Sequence, residues 1–197
     1  MIKQKTYFLV VIMALATTIA SAQNQFRRID TIMKLGKAGY KVLCTNKNEA
    51  KNNVSITPVG FANGARDVSF EISGRLLNTE VDDLNNDLFP DLVLYVYSPN
   101  EKQMGAVIGI TSVNNESIAP IGFPDIANDP KLRVGYVGYD SFMLMEGSLM
   151  RKFPVYKVDS VSSVPTGKYR QIQYSVITGE RETLKFKAVR SYEFAKQ

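Results

Sequence analysis

The sequence predicts an all-β fold, an antiparallel β-sandwich with one helix at its N-terminus and one short helical turn further on. Three observations lead there. Val68, Phe70 and Ile72 alternate with Ser69, Glu71 and Ser73, the period of a strand with one buried face. Ile172, Tyr174 and Val176 repeat that alternation late in the chain. Turn signals punctuate the sequence at short intervals, at Ser98-Pro99-Asn100, Asn114-Asn115, Gly147-Ser148 and Thr178-Gly179.

In chain order, residues 1–22 read as a signal peptide. Lys3 and Lys5 give the positive start, residues 7–19 the apolar run, and Ala20-Ser21-Ala22 a small-residue cleavage site, so the mature chain is expected to begin at Gln23. The apolar run is short for a membrane span, and no later segment approaches one. Residues 25–37 have a helical pattern, with Phe26, Ile29, Ile32, Met33 and Leu35 set among Arg27, Arg28, Asp30, Lys34 and Lys37. Gly36 and Gly39 are its stops. Strands are expected from Tyr40 onward: 68–73, 91–98, 104–113, 134–139, 142–145, 149–156, 169–177 and 183–191. One helical turn is expected within 125–132. With no internal repeat and no linker, residues 23–197 form a single domain in this reading.

Composition removes whole classes of chemistry. The 197 residues include 24 Lys and Arg against 19 Asp and Glu, and no His. Loss of the leader with Lys3 and Lys5 lowers the net charge from +5 to +3, too small an excess for nucleic-acid binding. The lack of histidine excludes Ser-His and Cys-His catalysis and histidine-ligated zinc. The single cysteine, Cys44, makes no internal disulfide and reads as a buried small hydrophobe in the strand-like run Tyr40-Lys41-Val42-Leu43-Cys44.

One region departs from the basic average. Between Leu76 and Glu101 stand Glu80, Asp82, Asp83, Asp87, Asp91 and Glu101, with no Lys or Arg. Asp83, Asn85, Asp87 and Asp91 fall at positions one, three, five and nine of a D-x-N-x-D-x-x-x-D pattern, the oxygen spacing of a tight Ca²⁺ loop. The pattern resembles the calcium loops of EF-hands and FG-GAP repeats. It differs at the sixth position, where Leu88 replaces glycine at a cost of roughly 1 kcal/mol for a left-handed conformation, and at the twelfth, where Leu94 replaces glutamate. The competing reading is an Asx-rich turn whose side chains bond their own backbone.

Further segments carry a family resemblance. After the acidic turn come Gly105-Ala106-Val107-Ile108-Gly109 and Gly135-Tyr136-Val137-Gly138-Tyr139-Asp140-Ser141-Phe142. Two longer runs follow, Glu146-Gly147-Ser148-Leu149-Met150-Arg151-Lys152-Phe153-Pro154-Val155-Tyr156 and Pro165-Thr166-Gly167-Lys168-Tyr169-Arg170-Gln171-Ile172-Gln173-Tyr174. Over about residues 66–185 the chain resembles the PliI family, periplasmic inhibitors of invertebrate-type lysozyme. That resemblance implies a β-sandwich that inserts a protruding loop into the lysozyme's catalytic cleft. The corresponding segment is Ser98-Pro99-Asn100-Glu101-Lys102-Gln103-Met104-Gly105. Gly105 matches the family, Met104 stands where a tyrosine is expected, and the family's Ser-Gly pair is missing.

The function expected on these grounds is a non-enzymatic binding protein, periplasmic or secreted, monomeric or homodimeric, whose partner is a lysozyme or another exported protein. A lysozyme cleft holds two carboxylates, which Lys102, Asn100 and Gln103 could engage. No cofactor is required, with Ca²⁺ on the acidic loop as an option. The alternative is a calcium-stabilised sandwich that binds a protein or glycan. A carboxylate-based glycosidase ranks last, because the acids crowd into one loop instead of flanking a cleft.

Overall fold

A computed structural model of the chain describes residues 28–62, 65–100, 102–159 and 162–195. The signal peptide and the start of the mature chain lie outside the described residues. Twelve strands are present among them, in two sheets.

The first sheet is a four-stranded antiparallel meander of β1 (Ile29–Leu35), β2 (Ala38–Cys44), β3 (Lys51–Val59) and β4 (Val68–Ser73). The N-terminal helix is therefore corrected: the described part of 25–37 is strand β1 and a hairpin turn. Leu35 pairs with Ala38 across the two residues Gly36 and Lys37. Gly36 carries φ of +63° at the first central position, where a two-residue hairpin favours glycine. Along β1 the burial alternates strictly, with Ile29, Thr31, Met33 and Leu35 half-buried and Asp30, Ile32 and Lys34 exposed. Ile32, counted on the apolar face of the supposed helix, points to solvent.

The second sheet has eight strands in the order β5-β6-β7-β8-β12-β11-β10-β9. These are β5 (Arg75–Asp82), β6 (Asp91–Tyr97), β7 (Gly105–Val113), β8 (Ser117–Gly122), β9 (Ser141–Met145), β10 (Ser148–Val158), β11 (Ser163–Thr178) and β12 (Leu184–Ala195). All neighbours are antiparallel except β8 and β12, which meet in parallel through only Leu184–Ile121 and Lys185–Gly122. The turns at 114–115 and 146–147 use left-handed residues, Asn114 and Asn115 at φ +54° and Glu146 and Gly147 at +49° and +69°. The segment 134–139, expected as a strand, is irregular. Its backbone turns at Gly135, Gly138 and Tyr139, all with positive φ. The helical element of 125–132 is a 3₁₀ turn at Ile126–Asn128, capped by the Asp125 carboxylate accepting from Ala127 N.

Strand β6 is the wall between two apolar cores. Its even residues Leu92, Leu94 and Val96 join Tyr40, Val42, Cys44, Val54, Ile56 and Ile72 of the first sheet. Its odd residues Val93 and Tyr95 face Leu149, Phe153, Ile172, Tyr174 and Phe186 on β10, β11 and β12. The long sheet thus curls until its first strands pack on its last. Its two end strands approach each other, and β5 supplies carboxylates to the gap. Glu80 accepts from Leu144 N of β9 at 2.7 Å and from the Tyr95 hydroxyl. Asp82 accepts from Gly147 N at 3.2 Å. Burial, aided by Glu80, pushes the Tyr95 phenol far above its usual range, so it stays a donor.

Candidate functional site

Both connectors that flank β6 contain residues singled out by the sequence. The connector from β5 to β6 holds Asp83, Asn85 and Asp87, and Asp91 opens β6 itself. Its side chains fold back on its own amides. Asp83 accepts from Asp87 N at 3.0 Å through Oδ1 and from Leu88 N at 2.9 Å through Oδ2. Asn85 Oδ1 accepts from Asp87 N at 3.1 Å, and Asp87 Oδ1 accepts from Phe89 N at 2.8 Å. The Asn85 amide donates to Asp87 Oδ2 at 2.8 Å. Leu88, at the place a calcium loop gives to glycine, takes φ of +70°, and Asn86 takes +61°. The connector adopts the left-handed turn without the residue that makes it easy.

Asp91 differs from the rest. It is wholly buried, and its Oδ2 accepts from Leu84 N at 2.9 Å. Its Oδ1 is buried without a hydrogen-bond partner of normal geometry. Burial pushes the Asp91 carboxyl up to about 6, opposed by the Thr111 hydroxyl and Leu84 N and reinforced by the charges of Asp87 and Asp83. None of the ion pairs among the described residues reaches Asp83, Asp87 or Asp91. Also among the described residues, no three His, Cys, Asp or Glu side chains already converge as a metal-ligand group.

The connector from β6 to β7, residues 98–104, is built in the opposite sense. Pro99, Asn100, Lys102, Gln103 and Met104 are exposed and Ser98 is half-buried, while Glu101 lies outside the described residues. Ser98 N donates to Met104 O at 3.0 Å, and Gln103 N donates to Asn100 O at 3.0 Å. These bonds close a small turn on itself. The irregular segment 134–140 then braces it from outside. Tyr139 N donates to Lys102 O at 2.5 Å, and Gly105 N donates to Asp140 Oδ2 at 2.8 Å.

Two glycines are fixed by this contact. A Cβ on Gly138, whose φ is +108°, would stand 2.4 Å from Lys102 O. One on Gly105 would stand 2.4 Å from the Phe142 ring. Glycine at position 105 thus has a local packing reason in this chain.

Asp140 anchors the brace through a buried ion pair that sequence reasoning did not assign. Arg151 Nε donates to Asp140 Oδ1 at 2.7 Å, and Arg151 Nη2 donates to the Tyr136 hydroxyl at 2.9 Å. That hydroxyl donates in turn to Asp140 Oδ2 at 2.6 Å. The guanidinium lies 4.9 Å from the Tyr136 ring centroid and 5.4 Å from that of Phe142, within cation–π range. Burial works against the charge on Arg151, but the Asp140 hydrogen bond and charge raise its pKa overall. The only signal for this cluster was the motif pair Gly135–Phe142 and Glu146–Tyr156, quoted for resemblance and not for contact.

No protein-family model matches the sequence, and no curated protein matches it.

Proposed function

We propose that this chain is an exported, non-enzymatic binding protein, a two-layer β-sandwich that occludes a lysozyme cleft with the loop 98–104. One observation carries the reading: the loop exposes its polar side chains while its backbone is held from behind by Tyr139 N and Asp140. A loop that enters a cleft gains from such bracing, because less backbone freedom remains to be lost on binding. Lys102, Asn100 and Gln103 are the groups offered to the partner's carboxylates. The reading includes a leader removed after Ala22 and a monomer or homodimer in the periplasm or outside the cell.

The test is an inhibition assay of the protein against invertebrate-, chicken- and goose-type lysozymes. A second chain has residues 99–104 replaced by Gly and Ser. Inhibition of one class, lost on replacement with the melting temperature kept, supports the proposal. Equal inhibition by the replaced chain overturns the plug.

Inhibition of no lysozyme by either chain favours the second reading, a protein- or glycan-binding module. That reading rests on the aromatic row of β11 and β12. Tyr169 stacks on Phe194 with centroids 6.1 Å apart, and Tyr192 lies 6.0 Å from Phe194.

A further inference from the structure

The acidic connector has a feature that hydrogen bonding within it does not account for. Asp91 is the ninth residue of the D-x-N-x-D-x-x-x-D run and the most deeply buried carboxylate near it. A buried oxygen without a partner is costly and uncommon. Oδ2 of the same carboxylate binds Leu84 N inside the connector, and Oδ1 has no hydrogen bond of normal geometry. Asp83 and Asn85 both accept from Asp87 N, the Asn85 amide donates to the Asp87 carboxylate, and Asp91 holds Leu84 N of the same connector. No Lys or Arg side chain pairs with any of the three carboxylates among the described residues.

We propose that the connector 83–91 binds one Ca²⁺ ion through side-chain oxygens of Asp83, Asn85, Asp87 and Asp91. The proposal does not depend on the lysozyme reading. A carboxylate oxygen that accepts one N–H keeps a second lone pair. Asp83 therefore binds its two amides and still has electron pairs to offer a cation. Asp91 Oδ1 gains the partner it lacks. The Asn85 amide contributes its carbonyl oxygen, and its Nδ2, now on Asp87, yields that carboxylate to the ion.

Three carboxylates with neutral oxygens suit a hard cation that takes six to eight oxygen ligands. Among the described residues the three carboxylates do not already converge as a ligand group, so the ion has to draw them in, with Asn85 and main-chain or water oxygens completing the shell. Mg²⁺ is disfavoured, since it demands closer octahedral geometry and holds its own water.

Tb³⁺ luminescence on the full-length protein is a direct probe, because Tyr40 is tied to the connector by a 2.8 Å hydrogen bond from its hydroxyl to Pro90 O. The chain has no Trp to confuse tyrosine excitation. Sensitised emission should saturate at one ion per chain and be displaced by Ca²⁺ but not by equal Mg²⁺. The Ca²⁺ dissociation constant should lie on the order of 10⁻⁵ to 10⁻³ M.

Calcium should raise the melting temperature of the unmodified protein by linkage. Asp83→Asn with Asp87→Asn should weaken binding at least about tenfold, as should Asp91→Asn alone, whereas Glu71→Gln on β4 should leave it unchanged. A melting temperature indifferent to millimolar Ca²⁺, with no saturable Tb³⁺ emission, overturns the proposal. So does binding that Mg²⁺ displaces equally well, or that survives the Asp83/Asp87 exchange. Should a variant fail to fold, the titration of the unmodified protein decides alone.

Discussion

The two connectors on either side of β6 spend their polar groups in opposite directions. In 83–90 the side chains turn inward onto the connector's own amides. In 98–104 most side chains face solvent, and the loop is tied down mainly through its main-chain atoms, with Asn100 Oδ1 accepting from Met104 N as its own side-chain contact. The turn of the inward loop is shaped by its own side chains, while Leu84 in the second core and the Tyr40 hydroxyl on Pro90 O fix it to the rest of the fold. The outward loop depends on residues 35 and more positions away, at Gly138, Tyr139 and Asp140. Local sequence therefore governs one conformation and tertiary contact governs the other.

The sharpest way to break that contrast is to remove the distant support. Arg151→Ala should leave the Asp140 side chain buried beneath the outward loop without its ion-pair partner, and the loss of one partner of such a pair costs about 3–5 kcal/mol. Chemical denaturation measures it directly. The same variant should loosen 98–104, seen as faster amide exchange at Gly105, while amides of 83–88 change in step with global stability only.

A smaller effect sharpens the inward side. Leu88 is 86% exposed with φ of +70°, so its side chain offers little packing in return for the strained backbone. Leu88→Gly should stabilise the protein by a net of up to about 0.6 kcal/mol, the relief of the left-handed cost less glycine's extra freedom when unfolded. Destabilisation would mean that the Leu88 side chain contributes more than its exposure implies.

The smallest effect belongs to the outward side. Lys102→Ala should change stability by no more than about 0.5 kcal/mol, because its anchoring atom is the carbonyl and not the amine. Under the proposed function, the same change should weaken lysozyme inhibition.

These differences explain what could be read in advance. Strict alternation revealed β4 and the middle of β11, since each has one wet face. The Asx-rich turn at 83–90 was legible because the side chains and amides that bond one another are close together in sequence. The first strand was misread because Ile29, Ile32, Met33 and Leu35 satisfy a helical period about as well as a strand's. Pairing with β2 settled the conformation, and that partner carries no mark in the segment itself. The irregular course of 134–139 was misread for a related reason. Val134, Tyr136 and their neighbours look like strand residues, but Tyr136 is drawn to Arg151 and the glycines allow the backbone to follow. The Asp140–Arg151 pair went unassigned because nothing in the spacing of two charges eleven positions apart, on different elements, announces burial.

The carboxylates of Glu80 and Asp82 have a consequence for how copies of this chain meet one another. The end strands of an open sheet offer unpaired amides to any passing strand, the usual start of edge-to-edge aggregation. Here the amide of Leu144 on one end strand is taken by Glu80 from the other, and that of Gly147 by Asp82. An incoming strand would have to displace an anionic oxygen from each of these sites and find room between two strands already facing each other. The acids thus occupy, at the seam of the long sheet, amides that an incoming strand would otherwise pair with.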